Sequence, residues 1–340
     1  MNLPVMPQGS VPTSYKQRNL ASIPINLLHA VTNEVRLALR TNAGRIGLFL
    51  VTIHIFLAIF GPYITPYPPA ENHLELTADQ VAEEKRDRAA LGEVKTIRKL
   101  EFKVRMSDDQ LAMPSRKFLL GTDNFGRDIL SRVMAGARSI IIVAVSAASL
   151  GIFLGTTVGM ASGYKGGKTD EIVMRVMDGI MSFPSLLLAL LVLTMLGSNQ
   201  LNIIATIGIV FMPRVARVMR SATLVLKDLE FVQNARLRGE SFFYIIFREI
   251  LPNAVPILGV EASVRLSYAI LIAASLGFLG LGLQPPSSDW GLMISENQKF
   301  IVQAPWVALA PAVAVSSLVI GVNLLTDGLR QARGLPVSKA

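Results

Sequence analysis

A series of long apolar segments constrains this chain more than any other feature. The first of them, Ile46 to Ile64, contains no Lys, Arg, Asp or Glu. About 20 apolar residues are needed for a helix to cross a bilayer, and a helix satisfies its own backbone hydrogen bonds in lipid. Five further segments are long and predominantly apolar, at 139–161, 171–196, 201–219, 255–283 and 305–325, although three of them contain a few charged residues. The sequence therefore predicts an all-α membrane protein with six transmembrane helices.

The composition agrees with a membrane protein and argues against several other classes. Charged residues make up 17% of the 340 residues, below the roughly 25% of a typical soluble domain, and the mean hydropathy is +0.47. The net charge of +9 fits basic residues gathered in cytoplasmic loops, so it does not indicate a nucleic-acid partner. The chain has no Cys, which excludes disulfides and thiolate metal sites. Its three His lack metal-ligand spacing, and we predict no metal site.

The segments between the apolar runs suggest a domain organisation. Ile23 to Leu39 mixes apolar and charged residues, which predicts an amphipathic helix on the membrane surface. The region after the first span mixes charges of both signs densely, which indicates a soluble insertion. In order, we predict a tail (1–44), the first transmembrane helix (45–66), the insertion with a segment before the second helix (67–135), a five-helix core (136–330) and a second tail (331–340).

A charged segment at 231–256 interrupts the apolar core between the fourth and fifth spans. It carries too many charges for a bilayer interior, yet its apolar residues recur at helical spacing. Gly239 divides it into two short helices, because glycine accepts turn conformations that other residues resist. Pro252 then marks the return to the membrane. The pattern predicts a compact helix–turn–helix within 225–254, on one side of the membrane.

Charged residues in or beside the spans are predicted to pair. Arg175 and Asp178 are three residues apart, and Glu261 and Arg265 are four apart, spacings that bring side chains together on a helix. An unpaired charge in the membrane would be costly. Pro184 is predicted to kink the third span. Gly167-Lys168-Thr169 does not indicate a phosphate loop, because the glycine which that motif needs five residues earlier is a serine here.

Three motifs carry a family resemblance. They are Gly-Thr-Asp-x-x-Gly-Arg-Asp-x-x-Ser-Arg at 121–132, Gly-Phe-Leu-Gly-x-Gly-x-Gln-Pro-Pro-x-x-x-Trp-Gly at 277–291, and Ala235 followed by Gly239 and Leu251-Pro252. Together they resemble ABC importer permeases of the dipeptide/oligopeptide/nickel family, in its second-permease (C-type) branch. The third motif resembles the family's docking loop, although Gln233 and Asn234 stand where the family usually has Glu and Ala.

The resemblance implies a fold, a set of partners and a location. It implies the type I ABC importer permease fold, with a soluble insertion after the first helix. The expected partners are a homologous second permease, two ATP-binding subunits, an extracytoplasmic substrate-binding protein and the lipid bilayer. We expect no covalent chemistry and no cofactor in this chain, since ATP and Mg belong to the partner subunits. The expected location is the inner (plasma) membrane of a bacterial cell.

The resemblance and the residue patterns together give the candidate site residues. The ATPase-docking set is Gln233, Asn234, Ala235, Arg238, Gly239, Glu240, Ser241, Leu251 and Pro252. The translocation-path set is Gly277, Gly280, Gly282, Gln284, Pro285 and Trp290, with the indole expected at the membrane interface. Four glycines recur every fourth residue in the second span and are predicted to pack against a neighbouring helix, with a path-lining face as the alternative: Gly151, Gly155, Gly159 and Gly163.

Orientation, mechanism and cargo follow as expectations of different strength. Basic residues concentrate in the loop at 163–175 and in the segment from Arg214 to Arg248, which predicts cytoplasmic termini and an external insertion. A stand-alone secondary transporter is the alternative mechanism, and Asp178 and Glu261 are its only candidate intramembrane acids. No nucleophile–base or ligand constellation points to an intramembrane enzyme. The expected cargo is a peptide or similar small solute, with an oligosaccharide or nickel chelate as alternatives.

Overall fold

The computed structural model describes residues 35–70, 110–285 and 287–332. The predictions made for most of the N-terminal tail, for the insertion at 71–109 and for the last eight residues lie outside this part of the chain. Within it there is no strand, only an isolated bridge between Thr122 and Asp128. The helices are α1 Asn42–Ile64, α2 Ile129–Lys165, α3 Gly167–Met181, α4 Ser185–Leu196, α5 Gln200–Leu226, α6 Glu230–Leu237, α7 Phe242–Tyr244, α8 Leu251–Phe278, α9 Trp290–Asn297 and α10 Trp306–Ala332. The all-α prediction is confirmed.

Three of the long helices begin at polar capping residues. Thr41, Asp128 and Asn199 precede α1, α2 and α5, and the side chain of each accepts a hydrogen bond from a backbone N–H in the first turn. Such caps satisfy amide groups that have no partner within the helix. Asp128 belongs to the motif at 121–132, before the predicted second span. It caps the 37-residue α2 itself, so the membrane helix begins earlier than its apolar run.

Five helices are long and apolar enough to cross a membrane, namely α1, α2, α5, α8 with the turns before it, and α10. The third predicted span, 171–196, is not one kinked helix. It consists of α3 and α4, which meet at 86°. Pro184 lies at the N-cap of α4, where its missing N–H and fixed φ prevent α3 from continuing. The described chain therefore has five spans, or six if this bent pair counts as one.

The central core lies among α2, α5, α8 and α10. Buried aliphatic side chains from these helices, such as Ile140, Ile207, Leu276 and Leu318, form one cluster. Helix α1 packs on the outside of this bundle against α10. Its Gly47 lies so close to the backbone of Leu325 that a Cβ atom there would overlap it, which fixes the two helices at short distance.

One predicted charge pair is wrong and one is confirmed. Asp178 does not pair with Arg175 but with Arg217 of α5, at 2.5 Å, and Arg175 pairs with Glu171. The reason is that α3 packs beside α5, so a partner across helices replaces the one on the same helix. Glu261 and Arg265 pair at 2.7 Å within α8, as the spacing predicts.

Candidate functional site

The segment between α5 and α8 folds as the predicted helix–turn–helix. It consists of α6, a turn at 238–241, the single turn α7 and a wider π-helical turn, Ile245–Ile250, that leads directly into α8. Gly239 occupies the turn with φ of +79°, a conformation that disfavours side chains with a Cβ. Ser241 then caps α7 by accepting a hydrogen bond from the Tyr244 N–H at 3.3 Å. We call residues 230–250 the docking segment.

The inner face of the docking segment is apolar and packs on the ends of α2 and α5. Val232 and Ala235 of α6 and Ile246 of the π-helical turn are buried in a second hydrophobic cluster, together with Met160 of α2 and Met219 of α5. This cluster is separate from the central core of the bundle. Close-packed side chains of this kind have little freedom to shift independently, so the docking segment and the two helix ends form one packed unit.

Polar contacts join the docking segment and its neighbours to the end of α2. The Arg236 Nε donates to the Tyr164 hydroxyl at 3.0 Å, and its guanidinium lies 4.6 Å from the centre of that ring. Tyr164 also stacks edge-on against Phe242, with ring centres 5.5 Å apart. Lys227, just before the docking segment, donates to the Gly163 carbonyl at 3.0 Å. Arginine–aromatic contacts of this type contribute about 0.5–1 kcal/mol at exposed sites.

The structure divides the predicted docking residues into an outer and an inner group. Gln233, Asn234, Arg238, Gly239 and Ser241 are exposed on the outer face. Glu240 and Leu251 are half-buried, Pro252 is exposed, and Ala235 is fully buried. Ala235 therefore acts on the packing inside this chain, while the exposed group is accessible to another subunit.

Two exposed apolar residues on this segment were missed by the sequence analysis. Leu237 is 86% exposed at the end of α6, and Phe243 is 69% exposed on α7. Both side chains are accessible to another subunit or to lipid. An apolar residue directly before Arg238 was the sequence signal that could have identified Leu237. The direction of its side chain depends on how α6 packs, and the spacing of apolar residues does not show it.

The four glycines of α2 all lie against α5. A Cβ on Gly151 would lie 2.9 Å from the Gly208 carbonyl oxygen, and one on Gly155 would lie 2.5 Å from the Val215 Cβ. One on Gly159 would overlap the Ala216 carbonyl, and one on Gly163 would lie 3.0 Å from the Arg220 carbonyl oxygen. Backbones that approach this closely leave no space between the helices for a solute, so in this chain the stripe forms a helix contact.

The segment before α2 is organised by a buried charge network. Asp123 accepts hydrogen bonds from the Phe125 and Arg127 N–H groups, and its carboxylate pairs with the guanidinium groups of Arg127 and Arg132. Arg127 also reaches Glu296 of α9 at 2.8 Å. Arg132 is almost fully buried. These charges join the loop at 121–128 to α2 and α9, which accounts for one acid and both arginines of the motif, while its second acid, Asp128, caps α2.

The motif after α8 forms the junction between α8 and α9. Asp289 caps α9 by accepting from the Leu292 N–H at 2.9 Å. A Cβ on Gly277 would overlap the Asp289 carboxylate, and one on Gly282 would overlap the Gly277 backbone, so neither glycine has room for a side chain. Trp290 is fully buried within the protein and donates to the Val133 carbonyl at 2.9 Å, and its location at the depth of the membrane interface stays a prediction. The neighbouring α2 covers the ring, and Gly136 provides the space for it.

Only part of the motif at 277–291 is exposed. Of the six predicted path residues, Gly280, Gln284 and Pro285 are exposed, while the other three are buried in the junction.

Burial raises the pKa of the Asp289 carboxyl to about 6, even though backbone N–H groups of Leu292 and Gly291 favour its charged form. Across the described residues, no group of three or more His, Cys, Asp or Glu side chains is arranged to hold a metal ion.

Comparison with known proteins identifies the family. Residues 151–333 match the model of the binding-protein-dependent transport system inner membrane component, and residues 38–81 match the N-terminal TM domain of oligopeptide transport permease C. A dipeptide transport system permease protein of Alkalihalophilus pseudofirmus is 35% identical over 84% of both chains. A di/tripeptide transport system permease protein of Pseudomonas aeruginosa is 34% identical over 86% of this chain and 88% of its own.

A third relative is named for a different cargo. A glutathione transport system permease protein of Pectobacterium atrosepticum is 42% identical over 64% of this chain and 73% of its own. The matches confirm the resemblance stated from the three motifs, the type I permease fold and a multi-pass membrane protein. The chain belongs to the binding-protein-dependent transport system inner membrane component family, in its peptide/oligopeptide group, and is a permease subunit of an ABC importer.

Proposed function

We propose that this chain forms one half of the translocation path for short peptides. Its relatives are named for dipeptides, for di- and tripeptides and for glutathione, which is itself a tripeptide, so three related names share one chemical class. An oligosaccharide or a nickel chelate is the alternative cargo, and no relative named above supports either. Membership of the importer family supports a system with other permease, ATPase and substrate-binding subunits.

The proposed assembly has one homologous second permease, two ATP-binding subunits and one extracytoplasmic binding protein. In it, ATP and Mg are bound by the ATP-binding subunits, and this chain performs no covalent chemistry. The proposed location is a bacterial inner membrane, with both termini and the docking segment in the cytoplasm and the insertion outside. The basic residues of the loop at 163–175 and of the docking segment support this orientation, because short cytoplasmic loops are enriched in Lys and Arg.

The proposed coupling mechanism rests on the continuity of the docking segment with α8. Residues from Phe242 to Phe278 form a single apolar helical stretch, so a displacement of the docking segment moves α8 directly. Val232 and Ala235 pack against Met160 and Val215, so the same displacement also acts on α2 and α5. ATP-driven closure of the ATPases would thereby change which side of the membrane the path opens to.

The residue roles follow from exposure. Gln233, Asn234, Arg238, Glu240 and Ser241 are proposed to contact the ATPase, with Gly239 setting the turn between them. Ala235, Leu251 and Pro252 are proposed to hold the segment in position. Near the end of α8, the exposed Gly280, Gln284 and Pro285 are proposed to face the path, with Gly277, Gly282 and Trp290 supporting them from the junction.

The stand-alone transporter is less well supported by the geometry. Its two candidate acids are both paired, Asp178 with Arg217 and Glu261 with Arg265. Each acid is already engaged by a neighbouring guanidinium, which leaves neither of them free to bind a transported cation.

Uptake by the purified assembly in proteoliposomes tests the proposed function. We expect ATP-dependent accumulation of tri-alanine when the binding protein is present, and none of maltotriose or a nickel–histidine chelate. Accumulation of the sugar or the chelate instead of tri-alanine would overturn the peptide assignment. Accumulation without ATP or ATPase subunits would overturn the importer mechanism.

A further inference from the structure

A polar groove of about 470 Å³ lies between α8 and α10. One wall is the face of α8 that runs from Ser263 to Leu271, and the other is the last part of α10. Most of its lining residues are polar, with serine, tyrosine, asparagine, threonine and one charge of each sign, although apolar atoms contribute more than half of the lining surface. Polar groups on a membrane helix are costly against lipid, so this face is suited to water, protein or a polar solute.

The middle of the groove offers unused hydrogen-bonding groups. The Ser267 hydroxyl donates to the Asn323 side-chain oxygen at 2.6 Å and joins the two helices. In the described part of the chain, this leaves the Asn323 amide nitrogen and the half-exposed Tyr268 hydroxyl without a hydrogen-bond partner. An amide and a hydroxyl donate to and accept from a peptide main chain without selecting its side chains.

One end of the groove is charged. Arg330 lies 3.9 Å from Asp327, a weak pair, and its Nε is buried with no hydrogen-bond partner among the described residues. A guanidinium binds a carboxylate through two parallel hydrogen bonds. This end of the groove is therefore suited to a terminal carboxylate.

The dimensions and position of the groove fit a short peptide in transit. From Ser263 to Leu271 the helix rises roughly 12 Å at 1.5 Å per residue, which an extended chain of about three residues covers. The α8 wall is also the helix that continues from the docking segment, so motion driven by ATP would move one wall past the other.

Resting on the proposed function, we propose that the α8–α10 groove binds the main chain of a short peptide during translocation, and that Arg330 takes its C-terminal carboxylate. The peptide-path assignment above concerns residues at the other end of α8, around Gly280 and Gln284. The groove adds a second binding site, between α8 and α10.

Thiol protection in the assembled transporter tests this site. The chain has no Cys, so Ser263→Cys introduces one thiol into it. Ser275→Cys is the matched control, because both hydroxyls donate to the carbonyl four residues earlier on α8 and only Ser263 lines the groove. We expect saturating tri-alanine to slow methanethiosulfonate modification of the cysteine at 263 by at least about fivefold and to leave the control unchanged.

Three other outcomes are informative. Equal modification with and without tri-alanine, in an assembly that transports it, would overturn the proposal that the groove binds the peptide and would leave the proposed function unaffected. A cysteine at 263 that never reacts, in an assembly that still transports, would mean that another subunit fills the groove and would also overturn the proposal. Failure of the unmodified assembly to transport tri-alanine would overturn the proposed function itself.

A comparison of tri-alanine with its amide tests the proposed role of Arg330. We expect tri-alanine amide, which lacks the terminal charge, to need about tenfold higher concentration for the same protection, as loss of one charged hydrogen-bonded contact implies. Arg330→Gln should remove that difference by weakening protection by the acid alone. Equal protection by acid and amide in the unsubstituted Arg330 background would show that Arg330 does not bind the carboxylate.

Discussion

Gly159 of α2 lies directly against the Ala216 carbonyl of α5, with no space between them for a side chain. The contact lies near the second hydrophobic cluster, where α2 and α5 support the docking segment. It therefore joins helix packing in the membrane to the surface that meets the ATPase.

Gly159→Leu should weaken the permease strongly, since the new side chain would force α2 and α5 apart. Overpacking of a tight core typically costs about 1–3 kcal/mol, and backbone contact leaves little room for relaxation. Gly179→Leu is the control, because nothing lies within 4 Å of a Cβ at that position on α3. Thermal unfolding in detergent should show a clear loss of stability only for the first variant, and equal losses would contradict the tight contact.

Arg132→Leu should destabilise the protein by about 3 kcal/mol, because it removes one of the two arginines that balance Asp123 and Glu296 and leaves Arg127 alone beside both carboxylates. Arg175→Leu breaks an ion pair of similar length with Glu171, but that pair is largely exposed and should contribute at most about 1 kcal/mol. The measurement is again thermal unfolding of the two purified variants. A small effect at Arg132 would mean that the network at 121–132 does not hold the loop to α9.

Asp289 should make the stability depend on pH. Its pKa is raised to about 6 by burial, while the unfolded side chain has a pKa of about 3.9, so the folded state binds more protons between these values. Stability should therefore decrease as the pH rises from about 4 to about 6. Asp289→Asn keeps a capping side chain but cannot ionise, and the decrease in that interval should be smaller. An identical pH profile for both proteins would exclude Asp289 as its source.

Leu237→Glu should uncouple the ATPases without unfolding the permease. The side chain is 86% exposed, so its replacement should change stability by less than about 0.5 kcal/mol, while a charge at the centre of an apolar contact should cost several-fold or more in ATPase activity stimulated by the binding protein. Val302→Glu, at 90% exposure outside the docking segment, is the control. Unchanged stimulation in the Leu237 variant would show that α6 does not contact the ATPase through this residue.

The sequence predicted the helices and turns better than it predicted which neighbours their side chains contact. The spans, the turn at Gly239 and the glycine face of α2 follow from composition and spacing, which are local properties. The pairing of Asp178 with Arg217 joins residues 39 positions apart and depends on how α3 packs against α5. In the same way, the 86° break at Pro184 and the burial of Trp290 under α2 depend on neighbours that periodicity does not identify.

The candidate site was predictable in outline for the same reason. The charged docking segment stands out from apolar flanks, but which of its residues point outward depends on the rotation of α6 over Met160 and Met219. That rotation buries Ala235 and exposes Leu237. The α8–α10 groove gave no local signal, because its walls come from helices that are far apart in sequence.

Crosslinking of the docking segment to the ATPase tests the central claim most directly. Leu237→Cys supplies the single thiol of this chain, with Val302→Cys as the control, and each is combined with single-cysteine variants of the ATPase surface, with and without ATP. The account predicts a disulfide from position 237 whose yield changes with ATP, and none from position 302. No crosslink from 237 in an assembly that transports peptide, or equal crosslinking from both positions, would contradict a coupling route through the docking segment.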